Sequence, residues 1–154
     1  MDALNLIAAV QALQPDAKVR EQTDQPTLIV PAHALVALAR QLRDDPTLRF
    51  DLLETHTAVD WLDEDRFELL YLLASVPLGH HLTLSVSIDR DEPVVPTLCE
   101  VYPIAQWLER EVYDMFGILY DNHPDLRRLF LEDDWVGFPL RKDYEDDFML
   151  ERPE

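Results

Sequence analysis

FELLYLLASVPLGHHLTLSVSID, residues 67–89, is the stretch that decides the fold. Residues 67–76 are apolar at almost every position, as in a strand covered on both faces. Pro77 to Gly79 supplies turn chemistry. Residues 81–89 then alternate, with Leu82, Leu84, Val86 and Ile88 directed to a core and Thr83, Ser85 and Ser87 to solvent. Upstream, FDLLETHTAVDW (50–61) also has a period of two and reads as a strand of roughly ten residues. Three successive strands with short connections predict an antiparallel meander.

The flanks build on this meander. Residues 2–13 read as a helix capped by Asp2, with Leu4, Ile7 and Ala8 at helical spacing, and Pro15 ends it. Residues 18–22 and 27–30 are short strand candidates around a turn at Asp24–Pro26. After Pro31, residues 32–44 carry Leu35, Leu38, Ala39 and Leu42 on one helical face, with Arg40 and Arg43 near the end where the dipole favours cations. A Pro-rich charged connector, residues 89–96, leads to a further helix opened by Pro103, running to Phe116 and stopped by Gly117. The predicted class is α+β: an antiparallel sheet of about three to five strands with two helices packed on it, then a helix and an extended C-terminal strap. Residues 1–121 form the compact domain, and 122–154 an extended partner-binding segment.

Composition narrows the function. Against 31 acidic residues stand 13 basic ones, a net charge of −18. Such a surface repels nucleic acid and anionic headgroups, and also favours solubility. Cys99 is the single cysteine, too few for a disulfide or an iron–sulfur cluster. No apolar run approaches the ~20 residues of a membrane span. The N-terminus lacks signal- and transit-peptide features, so the chain reads as a soluble, cytosolic bacterial protein. His80 and His81 point to opposite faces of a strand; His56 is mid-strand; His33 begins a helix. His123, in a turn beside Asp121 and Asp125, is a weak metal candidate. Ser75, Ser85 and Ser87 lack a nucleophile elbow. The expectation is therefore no catalytic, cofactor-binding or metal-ligating residue, and a scaffold or assembly role.

The densest stretch is EREVYDMFGILYDNHPDLRRLFLEDDWVGFPLRKDY, 109–144. On its helix Glu111 falls within the stripe of Ile104, Trp107, Leu108, Val112, Met115 and Phe116. It is either a buried carboxylate needing a partner or an edge residue reaching water. Arg110 and Asp114 read as a minor i,i+4 pair on the polar face. Arg127–Arg128 and Arg141–Lys142 are clustered bases in an acidic chain, either ordinary solvated charges or partners for Glu111, Asp114 or a neighbouring protein. Trp135, Val136, Phe138 and Leu140 alternate with Gly137 and Pro139, a composition suited to an interface. The candidate interface and ion-pair residues are Glu109, Glu111, Asp114, Arg127, Arg128, Trp135, Arg141 and Lys142. The last residues, 143–154, are acidic and read as peripheral.

Glu109-Arg110-Glu111-x-Tyr113-Asp114-Met115-Phe116-Gly117-Ile118, then His123-Pro124-Asp125-Leu126-Arg127-Arg128, then Asp134-Trp135-x-Gly137-x-Pro139-Leu140-Arg141-Lys142-Asp143-Tyr144, strongly resemble the small hydrophilic-arm subunit family of bacterial NADH:quinone oxidoreductase, respiratory complex I. Weaker likeness continues upstream at Thr57–Asp60, Tyr71, Val95-Pro96-Thr97 and Tyr102-Pro103-x-Ala105-x-Trp107. The resemblance implies a protein that carries no flavin or cluster. It implies a place in the hydrophilic arm of a proton-translocating complex that holds FMN, iron–sulfur clusters and quinone. It also implies bracing of two other hydrophilic-arm subunits, the cluster-bearing one and the one that forms the quinone pocket, peripheral to the cytoplasmic face of the inner membrane. Related subunits occur in nickel–iron hydrogenases, formate hydrogenlyases and deazaflavin-dependent dehydrogenases. Glu145-Asp146-Asp147 stands where relatives often have a proline.

One expectation follows from the ligand count alone. The purified chain is expected to be colourless and redox-silent; a stoichiometric visible flavin or iron–sulfur spectrum after reconstitution would contradict it.

Overall fold

The computed structural model describes residues 2–147, so the acidic tail read from 143 onward is described only as far as Asp147. In chain order the elements are α1 (Ala3–Leu13), β1 (Lys18–Val19), β2 (Thr27–Ile29), α2 (Leu35–Asp44), β3 (Leu52–Trp61), β4 (Arg66–Ser75), β5 (His80–Asp89), β6 (Val94–Pro96), α3 (Ala105–Phe116) and β7 (Leu119–Asp121). The main sheet has five strands in the order β1-β2-β5-β4-β3. The meander β3-β4-β5 is antiparallel, as its short turns require, whereas β2 lies parallel to β5 because α2 intervenes in the crossover. Part of the charged connector pairs: β6 and β7 form a parallel two-stranded sheet on either side of α3.

Register places His56, Tyr71 and Leu84 side by side across the meander, and likewise Asp60, Phe67 and Ile88. That face holds Leu69, Leu73, Leu82 and Val86, all fully buried, and one core joins them to residues from all three helices. α2 contributes Leu35, Leu38, Ala39 and Leu42, the stripe its spacing predicts.

Two expectations fail locally. In α1 the buried residues are Leu6 and Val10, while Leu4 is 80% exposed. Asp2 caps the helix through the Asn5 amide at 2.9 Å, and the first turn then carries Leu4 outward. In β5 only Ser87 of the three polar positions is exposed; Thr83 and Ser85 are buried. The cause is a charge on the far face. Glu68, 2% exposed, accepts from the Ser85 hydroxyl at 2.5 Å and from Trp61 Nε1 at 2.9 Å, and is paired with Arg20. Burial would raise the Glu68 pKa, but Ser85, Trp61 and Arg20 together hold it below the ordinary carboxylate value. Alternation cannot reveal this, since a strand's second face is wet only where nothing closes over it.

α3 ends at Gly117 in the left-handed conformation, φ 74°, whose amide caps the Tyr113 carbonyl. A Cβ there would sit 2.5–2.8 Å from ring atoms of Phe138. Gly117→Ala thus combines a left-handed non-glycine residue with a clash in the strap. A loss of about 1–3 kcal/mol is expected, measured as a lowered urea midpoint with unchanged slope.

Candidate functional site

α3 buries two different faces. Ala105, Val112 and Phe116 enter the core, where the helix lies along β3. Glu109, 0% exposed, lies on this same side, one turn after Ala105, while the opposite face buries Asp114, 0% exposed, and Arg110, 4% exposed. Its cover is the strap that follows β7.

Asp114 organises that cover. One carboxylate oxygen accepts from Arg128 Nη1 at 2.8 Å. The other accepts from three consecutive backbone amides, Leu129 at 3.0 Å, Phe130 at 2.7 Å and Leu131 at 3.0 Å. Burial alone would raise its pKa; the Arg128 guanidinium and the three amides outweigh this and lower it. One turn earlier, Arg110 donates to the carbonyls of Arg127 at 3.1 Å and Arg128 at 3.0 Å. An i,i+4 pair therefore grips both the acceptors and the donors of one strap segment.

The rest of the strap is fastened in sequence. Arg128 Nη2 donates to the carbonyls of Trp135 at 2.9 Å and Gly137 at 3.0 Å, and its guanidinium lies over the Phe138 ring. The Leu140 amide donates to the Met115 carbonyl at 3.0 Å. Arg141 donates to the Phe116 carbonyl at 2.6 Å, at the end of α3, and lies over Phe67 and Phe138. The Lys142 amide donates to Asp60 Oδ2 at 2.9 Å, and its ammonium lies over Trp61. Arg90 joins Asp60, at 2.9 Å, to Asp143, at 2.5 Å.

A second buried centre lies around Glu109. Its Oε2 accepts from the Thr97 hydroxyl at 2.5 Å and the Cys99 thiol at 3.5 Å, and Oε1 from the Leu98 amide at 2.7 Å. Burial pushes its pKa up to about 7 against these donors. His123 Nε2 stands 3.9 Å away. Deeper still, His56 Nδ1 donates to the Leu70 carbonyl and Nε2 accepts from the Tyr120 hydroxyl at 2.6 Å, with Tyr71 stacked on the ring. Burial lowers His56 to about 4, so it is neutral and structural.

Of the sequence-predicted residues, Asp114 and Arg128 meet directly, and Trp135 enters through its carbonyl. Arg141 and Lys142 clamp the strap's end. Arg127 is 68% exposed and pairs with Asp125. Glu111 is exposed, so of its two readings the edge residue reaching water holds and the buried carboxylate does not. Arg110 and Asp114, read as a minor surface pair, are buried, because the strap covers the face that periodicity marks as polar. Sequence reasoning does not single out Asp60, Arg90 and Thr97 as site residues; Asp60 and Thr97 enter only through the weaker upstream likeness, and their partners lie 12 to 82 residues away.

The family described as respiratory-chain NADH dehydrogenase, 30 Kd subunit, matches residues 28–147. The chain is 43% identical over 140 residues to the corresponding NADH-quinone oxidoreductase protein of Moorella thermoacetica, covering 91% of this chain and 93% of that protein. It is 44% identical over 128 residues to its counterpart in Geotalea uraniireducens, covering 82% of this chain and 77% of the relative. Among solved structures, a chain of the membrane-bound sulfane sulfur reductase, an archaeal respiratory membrane complex, superposes with a TM-score of 0.80 at 28% identity, covering 92% of this chain and 85% of its own. A trypsin-resistant fragment of Nqo5 superposes with a TM-score of 0.69 at 24% identity, covering 82% of this chain and all of the fragment, and shows the same fold.

Removing the Asp114 carboxylate strands the Arg128 guanidinium, on a side chain 11% exposed, and three amides. Asp114→Ala is expected to cost about 3–5 kcal/mol and to raise amide exchange at residues 129–131. The pH sign is fixed by the lowered pKa. The carboxylate's stabilisation is full above its ordinary value of 3.8 and is lost as pH falls through the lower folded value. An Asp114→Asn variant is expected to show a shallower acid limb in a stability–pH curve.

Proposed function

We propose a role for this chain from one premise: it belongs to the family of the 30 Kd subunit of respiratory-chain NADH dehydrogenase. It is a structural and assembly subunit, itself non-catalytic, in the hydrophilic arm of a proton-translocating NADH:quinone oxidoreductase. It braces the cluster-bearing and quinone-pocket subunits of that arm on the cytoplasmic face of the bacterial inner membrane. The complex carries FMN, iron–sulfur clusters and quinone; this chain supplies packing and position. Among the described residues no helix is long and apolar enough to cross a membrane, which suits a peripheral attachment.

The observation that carries this reading is the polarity of the strap. The amides of Leu129, Phe130, Leu131, Leu140 and Lys142, the carbonyls of Arg127 and Arg128, and the side chains of Arg128 and Arg141 are spent on α3 and β3, while Phe130 at 67%, Val136 at 87% and Leu140 at 54% exposure face out. An extended segment that presents apolar side chains from a backbone anchored on its other side is prepared for burial against a neighbour. Exposed acids at 132–134 between them favour a partner surface with a basic rim around an apolar centre. The sulfane sulfur reductase likeness keeps the equivalent subunit of another membrane-bound respiratory complex, such as a nickel–iron hydrogenase, formate hydrogenlyase or deazaflavin-dependent dehydrogenase, as the second reading. The curated relatives at 43% and 44% identity favour NADH–quinone chemistry.

The test replaces Phe130, Val136 and Leu140 together with serine. The isolated variant is expected to melt within a few degrees of the parent, since these side chains contact solvent. Assembled complex is expected to fall by about tenfold or more, with quinone reductase activity falling in proportion. Full assembly with lost turnover would replace the scaffold reading by a direct role near the quinone path.

A further inference from the structure

The loop after β6, the middle of α3 and the turn after β7 converge on Glu109, and the strap's attachment makes no use of that convergence. Cys99 Sγ, one Glu109 oxygen and one His123 nitrogen lie within 4.8 Å of one another. The Glu109 and His123 side chains are fully enclosed, and Cys99 is half-buried. Among the described residues the basic group paired with this carboxylate is His123, at 3.9 Å; the arginines of α3 and the strap are engaged elsewhere. Burial disfavours protonation of His123. Among the described residues this buried carboxyl group thus faces an imidazole and a thiol, with no lysine or arginine paired to it.

We propose that Cys99, Glu109 and His123 form a binding site for a divalent transition cation, with zinc the ion that fits. One thiolate, one carboxylate oxygen and one imidazole are ligands zinc takes at about 2.0–2.3 Å, a three-ligand set that leaves the fourth position to water. Those bond lengths place tetrahedral ligand atoms roughly 3.3–3.8 Å apart, so the donors close by about 1.5 Å at most. Each comes from a different segment, so the ion staples the loop after β6 to α3 and to the turn that begins the strap. The sequence pairs His123 with Asp121 and Asp125; the fold turns it toward Glu109 and Cys99 instead.

Binding has a defined proton balance. The Asp125 amide donates to His123 Nδ1 at 3.0 Å, so Nε2 carries the proton, directed to the Gln106 carbonyl at 3.2 Å. Coordination at Nε2 moves that proton to Nδ1 and gives up the Asp125 amide contact. The Cys99 thiol releases its proton to solvent, and so does Glu109 to the extent that burial, which raises its pKa to about 7, keeps it protonated. Zinc neither changes oxidation state nor absorbs visible light, so the redox-silent expectation is unaffected.

The experiment uses the full chain stripped of metal by a chelator, then titrated with zinc and with cobalt(II) as a spectroscopic substitute. One equivalent is expected to bind, raising the melting temperature and shifting the Asp125 amide resonance. Cobalt is expected to give tetrahedral ligand-field bands and a sulfur-to-cobalt charge-transfer band. Cys99→Ser is expected to abolish the charge-transfer band and weaken zinc binding by at least about tenfold; circular dichroism checks that it folds. Absence of stoichiometric binding by the parent chain, or a cobalt complex without a sulfur band, overturns the proposal whether or not the variant folds. Neither result bears on the strap, which is judged by assembly of the serine variant.

Discussion

Asp114 is the constraint on which the other attachments depend. A carboxylate with no exposure inside a protein is tolerated only when its charge and lone pairs are met. Here they are met by Arg128 and by three amides in a row. Three consecutive amides converge on one oxygen only if the backbone folds around it, so the carboxylate shapes residues 129–131 as well as holding them. The rest of the strap inherits its path from that bend: Arg128 reaches on to Trp135 and Gly137, and Arg141 arrives at the last turn of α3.

The same device recurs elsewhere. Asp60, at the end of β3, is met by Arg90 and the Lys142 amide, and Glu68 by Arg20, Ser85 and Trp61. Pairs of this kind add little net stability over well-packed apolar residues, but losing one partner is costly. Their effect is to make each covering segment fit in one way. A chain with 31 acids and 13 bases spends Arg20, Arg90, Arg110, Arg128 and Arg141 on inward contacts. The surplus acid remains outside, and the strap's apolar side chains are left to meet a neighbour. Rigid attachment lowers the ordering cost that an extended segment would otherwise incur on binding.

Sequence alone determined what short-range periodicity encodes. The α2 stripe, the β3-β4-β5 meander, the Gly117 stop and the capping role of Asp2 are read from residues within one or two turns of one another. The motifs from Glu109 to Tyr144 carried the family likeness because that likeness is itself a pattern of residue types in order. Only the tertiary structure decided which polar residues are covered. Periodicity puts Glu111 in the apolar stripe and Asp114 on the polar face, yet Asp114 is buried and Glu111 exposed. The difference is made by a strap 14–17 residues further on that has no regular period to read. Likewise, nothing local joins Cys99 or Thr97 to Glu109, or Asp60 to Arg90. Burial of a polar group is a property of what folds over it, and periodicity reports only the face a residue occupies.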